Sequence, residues 1–222
     1  MEELSLQGVM NMELKGKRAV FLGDSITYGY SLHSQEEAYH QVLKRKTGLL
    51  TAVNYGVNGS RIARQSVPDD WGPCFAERYI DMEDNADIIV VFGGTNDHAH
   101  GDAPIGTFAE RTKETFYGAM HVLILGLKKK YLGAFILFMT PLHRVDENKP
   151  NASTGKLLVD YVNIIKEVTA FYNIPVLDLY ECCRIQPNNA EQRERLCPDG
   201  IHPNARGHKM IADCMIQFFD ND

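Results

Sequence analysis

A chain of 222 residues with a net charge of −6 has the size of one large domain and lacks the basic surface that nucleic acid or an anionic membrane would need. Hydrophobic residues make up 44% and charged residues 23%, as in ordinary globular proteins able to bury a continuous core. No window approaches the ~20 apolar residues of a membrane span, and the acidic start Met1-Glu2-Glu3-Leu4 lacks the basic and apolar regions of a secretory signal. Five cysteines without regular spacing suit reduced thiols better than a disulfide framework, so the expected location is the cytoplasm. The whole of 1–222 is expected to be one domain, with 1–15 a weakly patterned lead segment.

The first strand is expected at Lys17 to Gly23, an apolar run bounded by charge and glycine. Glu36 to Thr47 has helical spacing and stops at Gly48. Residues 51–57 form a short second strand, followed by the turn-rich Asn58-Gly59-Ser60-Arg61. Pro68 to Pro73 is a loop holding Trp71, and Cys74 to Glu83 a short helix. Asp87 to Gly93 is a continuous β-branched and aromatic run, as in a strand buried on both faces of a parallel sheet. A long helix is expected from Thr107 to Lys130, with Phe108, Thr112, Phe116, Ala119, Leu123 and Leu127 on one stripe. Ala134 to Thr140 is a fourth strand, 154–172 a helix, 174–178 a fifth strand, and Asn204 to Phe219 a closing helix capped by Asn204. Strands alternating with helices predict a three-layer α/β/α sandwich on a five-stranded parallel sheet, flavodoxin-like in class.

The strand ends carry chemistry. Gly23-Asp24-Ser25 delivers a hydroxyl to the carboxyl end of the first strand, the edge where open α/β sheets bind ligands. Gly93-Gly94-Thr95-Asn96-Asp97 follows the third strand, and its Asn96 amide is an uncharged donor. In Asp199-Gly200-Ile201-His202 an acid precedes a histidine by three residues, a spacing that lets both side chains face one way. Asp199 could accept from one imidazole nitrogen while the other faces Ser25, and histidine so held is a general base near neutral pH.

These blocks resemble those of the SGNH hydrolase superfamily, the GDSL esterase/lipase family. Gly23-Asp24-Ser25 matches its nucleophile block, Gly59 in Asn54-Tyr55-Gly56-Val57-Asn58-Gly59 its glycine block, Gly94-Thr95-Asn96-Asp97 its G-x-N-D block and Asp199-Gly200-Ile201-His202 its D-x-x-H block. The resemblance spans residues 23–202 and implies the SGNH fold, a serine esterase with a Ser25 nucleophile, His202 base and Asp199 orienter, and an oxyanion hole from the Ser25 and Gly59 N–H groups and the Asn96 amide. It implies no cofactor and no metal. The expected substrates are small-molecule esters of short acyl groups, acetylated sugars among them, with neither nucleic acid nor membrane span as partner.

Asp24, His98, His143 and Arg61 are candidate substrate contacts, and Asp24 and Asp97 are also expected to brace their loops. His98 and His100 lack the companion ligands of a metal site and are expected at the cleft rim or simply exposed. His143, Arg144 and Trp71 lie in segments that could reach the cleft; His208 belongs to the closing helix. A lysophospholipase, thioesterase or acyltransferase would share the same acyl-enzyme step. A flavodoxin-like module binding an anion or carbohydrate without catalysis is the alternative of another class, although Asp24 opposes a phosphate beside Ser25.

Overall fold

The computed structural model describes residues 12–67 and 72–220, so Trp71 and most of the expected lead segment lie outside the described residues. Five strands, β1 (Arg18–Gly23), β2 (Thr51–Gly56), β3 (Ile88–Phe92), β4 (Phe135–Met139) and β5 (Val176–Leu177), pair in the order β2-β1-β3-β4-β5. Every pairing is parallel. This is the flavodoxin-like order, which reverses direction between β1 and β3.

Side-chain alternation divides the core into two layers. Ala19 and Phe21 of β1 and Ile88, Val90 and Phe92 of β3 face one side, with Tyr39, Val42, Ile211, Met215 and Phe219. The covering helices are α2 (Tyr39–Thr47) and α9 (Ala205–Asp220). Val20, Leu22, Ile89 and Val91 face the other side, with Phe75, Phe116, Leu123, Tyr161 and Ile165. There the cover comes from α3 (Phe75–Arg78), α5 (Phe116–Lys130) and α6 (Leu158–Phe171). All five residues of β3 are buried, which is why its sequence reads as an unbroken apolar run. Three short helices follow strand ends, α1 (Ser25–Tyr28), α4 (Thr95–His100) and α7 (Leu179–Cys182), and α8 (Ala190–Leu196) lies between α7 and α9.

The helix expected from Glu36 begins as α2 at Tyr39, and two others also begin later than their periodicity suggests. The segment from Thr107 to Thr115 is not helical; α5 starts at Phe116, where the Thr115 side chain accepts the Gly118 N–H. Upstream, the Glu110 carboxylate accepts the Thr107 N–H and the Thr112 hydroxyl accepts the Glu114 N–H, local bonds that compete with helix. Phe108 nevertheless reaches the layer beside α5, edge-on to His121 and Phe171 at 5.0 and 5.2 Å. Likewise α6 starts at Leu158 rather than 154, because the Asn151 side-chain Oδ1 collects the Ser153 and Thr154 N–H groups in a turn. The closing helix has the expected cap, the Asn204 side chain accepting from the N–H groups of Arg206 and Gly207.

Backbones meet closely where β2 passes α1. A Cβ built on Gly56 would stand 2.1 Å from the Tyr28 amide nitrogen, so only glycine lets the end of β2 lie against the helix that carries Ser25. Replacing it cannot be absorbed by a flexible side chain. Gly56→Ala is therefore expected to lower the urea-unfolding free energy by about 1–3 kcal/mol through overpacking. Gly72→Ala meets nothing within 4 Å but stands at φ 71°, so its loss is backbone strain alone; a Gly56→Ala unfolding free energy equal to that of wild type would contradict the packing argument.

Candidate active site

The site is assembled from four chain segments at the carboxyl edge of the sheet. The β1 strand ends at Gly23, and Asp24 turns the chain into α1, its carboxylate accepting the Ile26 N–H at 2.9 Å. Asp24 is thus the cap of α1, and the Ser25 hydroxyl is left to point elsewhere. Ser25 is 6% exposed, and its Oγ lies 2.8 Å from Nε2 of His202. On the far side of the ring, Nδ1 lies 2.6 Å from Asp199 Oδ2. With a carboxylate facing Nδ1, the proton belongs there, and Nε2 presents its lone pair to the Ser25 hydroxyl.

The acid is itself fixed. Asp199 Oδ1 accepts the N–H groups of Ile201 at 2.9 Å and His202 at 2.7 Å, so the turn 199–202 closes on its own carboxylate. Partial burial works to raise the Asp199 carboxyl, but the His202 N–H, the imidazole and the Ile201 N–H outweigh it and hold the group below the usual carboxylate range. A half-exposed aromatic ring, Tyr30, lies against the imidazole with centroids 4.6 Å apart.

Asn96, the second residue of α4, is 8% exposed and gives one amide hydrogen to the Ser60 carbonyl at 3.2 Å. An amide has two such hydrogens, and the second remains for a ligand. Gly59 immediately precedes Ser60 and adopts φ 71°, a left-handed conformation that a side chain disfavours. Asp97 binds the same loop from below: its two oxygens accept the N–H groups of Ile62 and Ala63 at 2.9 and 3.0 Å. Arg78 and Arg144, 8% and 4% exposed, complete the polar floor. Arg144 donates to the Thr95 carbonyl and hydroxyl at 3.2 and 3.1 Å.

Burial dominates the electrostatics of this floor. Desolvation pushes the Asp24 carboxyl up to about 7 against the opposing Ile26 N–H and Arg78, and the Asp97 carboxyl up to about 6 against the Ile62 and Ala63 N–H groups. His208, fully buried behind the site, accepts the Tyr39 N–H on Nδ1, and burial pushes its imidazole down to about 3.

Several residues expected at the cleft are occupied by the protein. His98 is 2% exposed rather than at a rim; its Nε2 pairs with the Lys149 carbonyl at 3.0 Å and its ring meets Tyr161 edge-on. Arg61 is buried with Nη1 2.8 Å from Nδ1 of His100. His143 pairs with Glu147 at 2.6 Å and stacks on Tyr180. Asp24 faces its own helix turn. Among the described residues no group of three or more His, Cys, Asp or Glu side chains could hold a metal ion. Tyr30, Ser60 and Arg78 were not singled out by sequence reasoning. An arginine in a four-residue helix and a tyrosine two residues past α1 carry no pattern that marks them.

A family model, the GDSL-like lipase/acylhydrolase family, matches residues 21–210. The chain belongs to that family. This GDSL-type hydrolase is a carboxylic ester hydrolase of the SGNH superfamily. Among solved structures, a Lactobacillus plantarum protein is 31% identical, with a TM-score of 0.82 over 93% of this chain and 97% of its own. An acetyl xylan esterase at 22% identity superposes with a TM-score of 0.61 over 90% of this chain and 98% of that one. A two-domain esterase active on acetylated mannans, 19% identical, gives 0.64 over 93% of this chain and 49% of that one. At those identities the last two show the shared fold. No curated protein matches the GDSL-type hydrolase significantly. Among the described residues no helix is long and apolar enough to cross a membrane.

Asp24 gives a pH-dependent test of the buried floor. Its folded-state value of about 7 lies above the unfolded 3.8, so the stability it contributes is present below about 4 and is lost as pH rises through 7. Asp24→Asn cannot ionise. Its melting temperature, relative to wild type, should therefore rise between pH 5 and pH 8; a difference that stays flat or falls would show that Asp24 is not desolvated as described.

Proposed function

We propose that this chain is a serine esterase that removes small acyl groups from polar, carbohydrate-like alcohols through Ser25, His202 and Asp199. The observation that carries the reading is the unbroken line from Asp199 Oδ2 to His202 to Ser25 Oγ, at 2.6 and 2.8 Å. Serine alone is a weak nucleophile, and an oriented imidazole is what activates it.

In the first half-reaction Ser25 Oγ attacks the ester carbonyl while Nε2 of His202 takes the hydroxyl proton. Asp199 keeps Nδ1 protonated and stabilises the imidazolium that forms. The negative oxygen of the tetrahedral intermediate is received by the Ser25 N–H, the Gly59 N–H and the free Asn96 amide hydrogen. Ser25 N–H is available because the first amides of a helix have no intrahelical acceptor. His202 then returns the proton to the departing alcohol, leaving an acyl group on Ser25. A water, deprotonated by the same imidazole, attacks that acyl carbonyl; the second tetrahedral intermediate collapses to release the carboxylic acid and restore Ser25.

Two things favour a polar alcohol over a long lipid. Asn204, two residues past His202, helps line a cavity of about 540 Å³ with Ser31, His33, Glu37, Glu194 and Arg195, side chains suited to hydroxyl groups; Ser25, His202 and Asp199 do not line it. Structural neighbours include an acetyl xylan esterase and an esterase active on acetylated mannans.

Hydrolysis of p-nitrophenyl acetate tests the mechanism. Ser25→Ala should abolish turnover above background, and Asn96→Ala should lower kcat by about 10²–10³-fold, as loss of one oxyanion donor does in other acyl-transfer sites. Wild-type turnover in Ser25→Ala overturns the assignment. For the alcohol, acetylated xylo-oligosaccharides should be deacetylated with higher kcat/KM than long-chain p-nitrophenyl esters; the reverse preference would contradict the polar reading.

A further inference from the structure

Arg78 ends a four-residue helix and is 8% exposed, yet among the described residues it forms no salt bridge. Its three nitrogens instead donate to three separate segments of the site. Nη2 donates to the Gly23 carbonyl, which immediately precedes Asp24 and Ser25. Nη1 donates to the Tyr55 carbonyl near the end of β2 at 2.5 Å. Nε donates to the Ser60 hydroxyl, one residue past Gly59, at 3.1 Å. The guanidinium carbon lies 4.7 Å from the Phe75 ring centroid, so an aromatic face sets the plane of the fork.

Burying a cation with no carboxylate within hydrogen-bond reach is costly, and desolvation pushes Arg78 down to about 10 although the nearby Asp24 carboxylate opposes it. An apolar side chain would fill the space without that cost. What it could not do is tie the three acceptors together at fixed angles. Ser60 is the point where the ties converge: its N–H goes to the Val57 carbonyl, its carbonyl accepts from Asn96, its hydroxyl donates to the Pro73 carbonyl and accepts from Arg78. Gly23 is held the same way, its carbonyl accepting from both Val57 N–H and Arg78.

We propose that Arg78 is the positioning residue of this esterase: its planar guanidinium fixes the Gly59–Ser60 turn against the Gly23–Ser25 turn, so that the oxyanion donors are aimed before substrate arrives. Arg78 does not touch substrate. The proposal rests on the Ser25 and oxyanion-hole reading given above. The geometry of the fork matters as well as its charge, since a lysine ammonium cannot address three acceptors lying in one plane.

The test compares Arg78→Lys and Ser60→Ala with wild type in p-nitrophenyl acetate kinetics, with phenylboronic acid inhibition as a second readout because boron bonded to Ser25 is tetrahedral. Arg78→Lys should lose about 10–100-fold in kcat, the scale of a misplacement near 1 Å, with KM within about twofold and boronate affinity falling in parallel. Ser60→Ala cuts one tie and should show a smaller loss of the same kind, and the double variant should lose no more than Arg78→Lys alone. A merely structural role would lower the melting temperature of both variants and leave kcat and boronate affinity of the folded fraction at wild-type values, which overturns the proposal. Should Arg78→Lys fail to fold, Ser60→Ala decides: unchanged kcat and boronate affinity overturn it. Ser25→Ala run alongside separates the two readings, because activity surviving there defeats the site assignment whatever Arg78 does.

Discussion

The site depends on one constraint of topology: β1 and β3 lie side by side in parallel register, Gly23 opposite Phe92, while their following connections diverge to opposite faces of the sheet. Chain reversal at that point opens a crevice between two strand ends. Ser25 rises from one wall and Asn96 from the other. The β2 strand, paired to the outer side of β1 with Gly56 opposite Gly23, sends the Gly59 turn over the same edge. Only the 199–202 turn comes from outside the sheet, and it is brought in by α9 packing on the α2 layer.

A crevice made of loop ends has to satisfy many backbone groups without a ladder, and buried charge is how this chain does it. Asp97 holds the N–H groups of Ile62 and Ala63; Arg78 and Arg144 hold carbonyls of Gly23, Tyr55 and Thr95. Asp24 ends β1 by capping α1. These ionisable groups carry the desolvation cost that raises Asp24 and Asp97 and lowers Arg78. In return the Gly23 carbonyl and Ser60, next to the proposed oxyanion donors, each take more than one hydrogen bond, an arrangement that suits electrostatic stabilisation without rearrangement.

Much of this was legible in the sequence, for identifiable reasons. Strands buried on both faces read as unbroken apolar runs, so β1, β3 and β4 stood out, and Gly23, Gly93 and Pro141 marked where the chain leaves the sheet. The approach of Ser25, His202 and Asp199 is expected from two motifs, one at the end of β1 and one before the last helix. Other features left no such mark. Residues 107–115 share the apolar stripe of α5 but hold side chain-to-backbone bonds instead of helix, a competition that periodicity does not register. The α8 helix is seven residues long with one buried position, too short for a stripe. His98 looks in sequence like a cleft residue next to Asp97, but the first turn of α4 rotates it toward Tyr161. Arg78 matters through partners 18 to 55 residues away in sequence, which no local pattern encodes.

The central claim, that the imidazole of His202 activates the hydroxyl of Ser25, is tested most directly by locating the adduct of a fluorophosphonate probe. Peptide mass spectrometry of labelled protein should find one modification, on the peptide that carries Ser25, and His202→Ala should suppress its formation by orders of magnitude while the protein stays folded. Modification at another residue, or labelling of His202→Ala at the wild-type rate, would contradict the account.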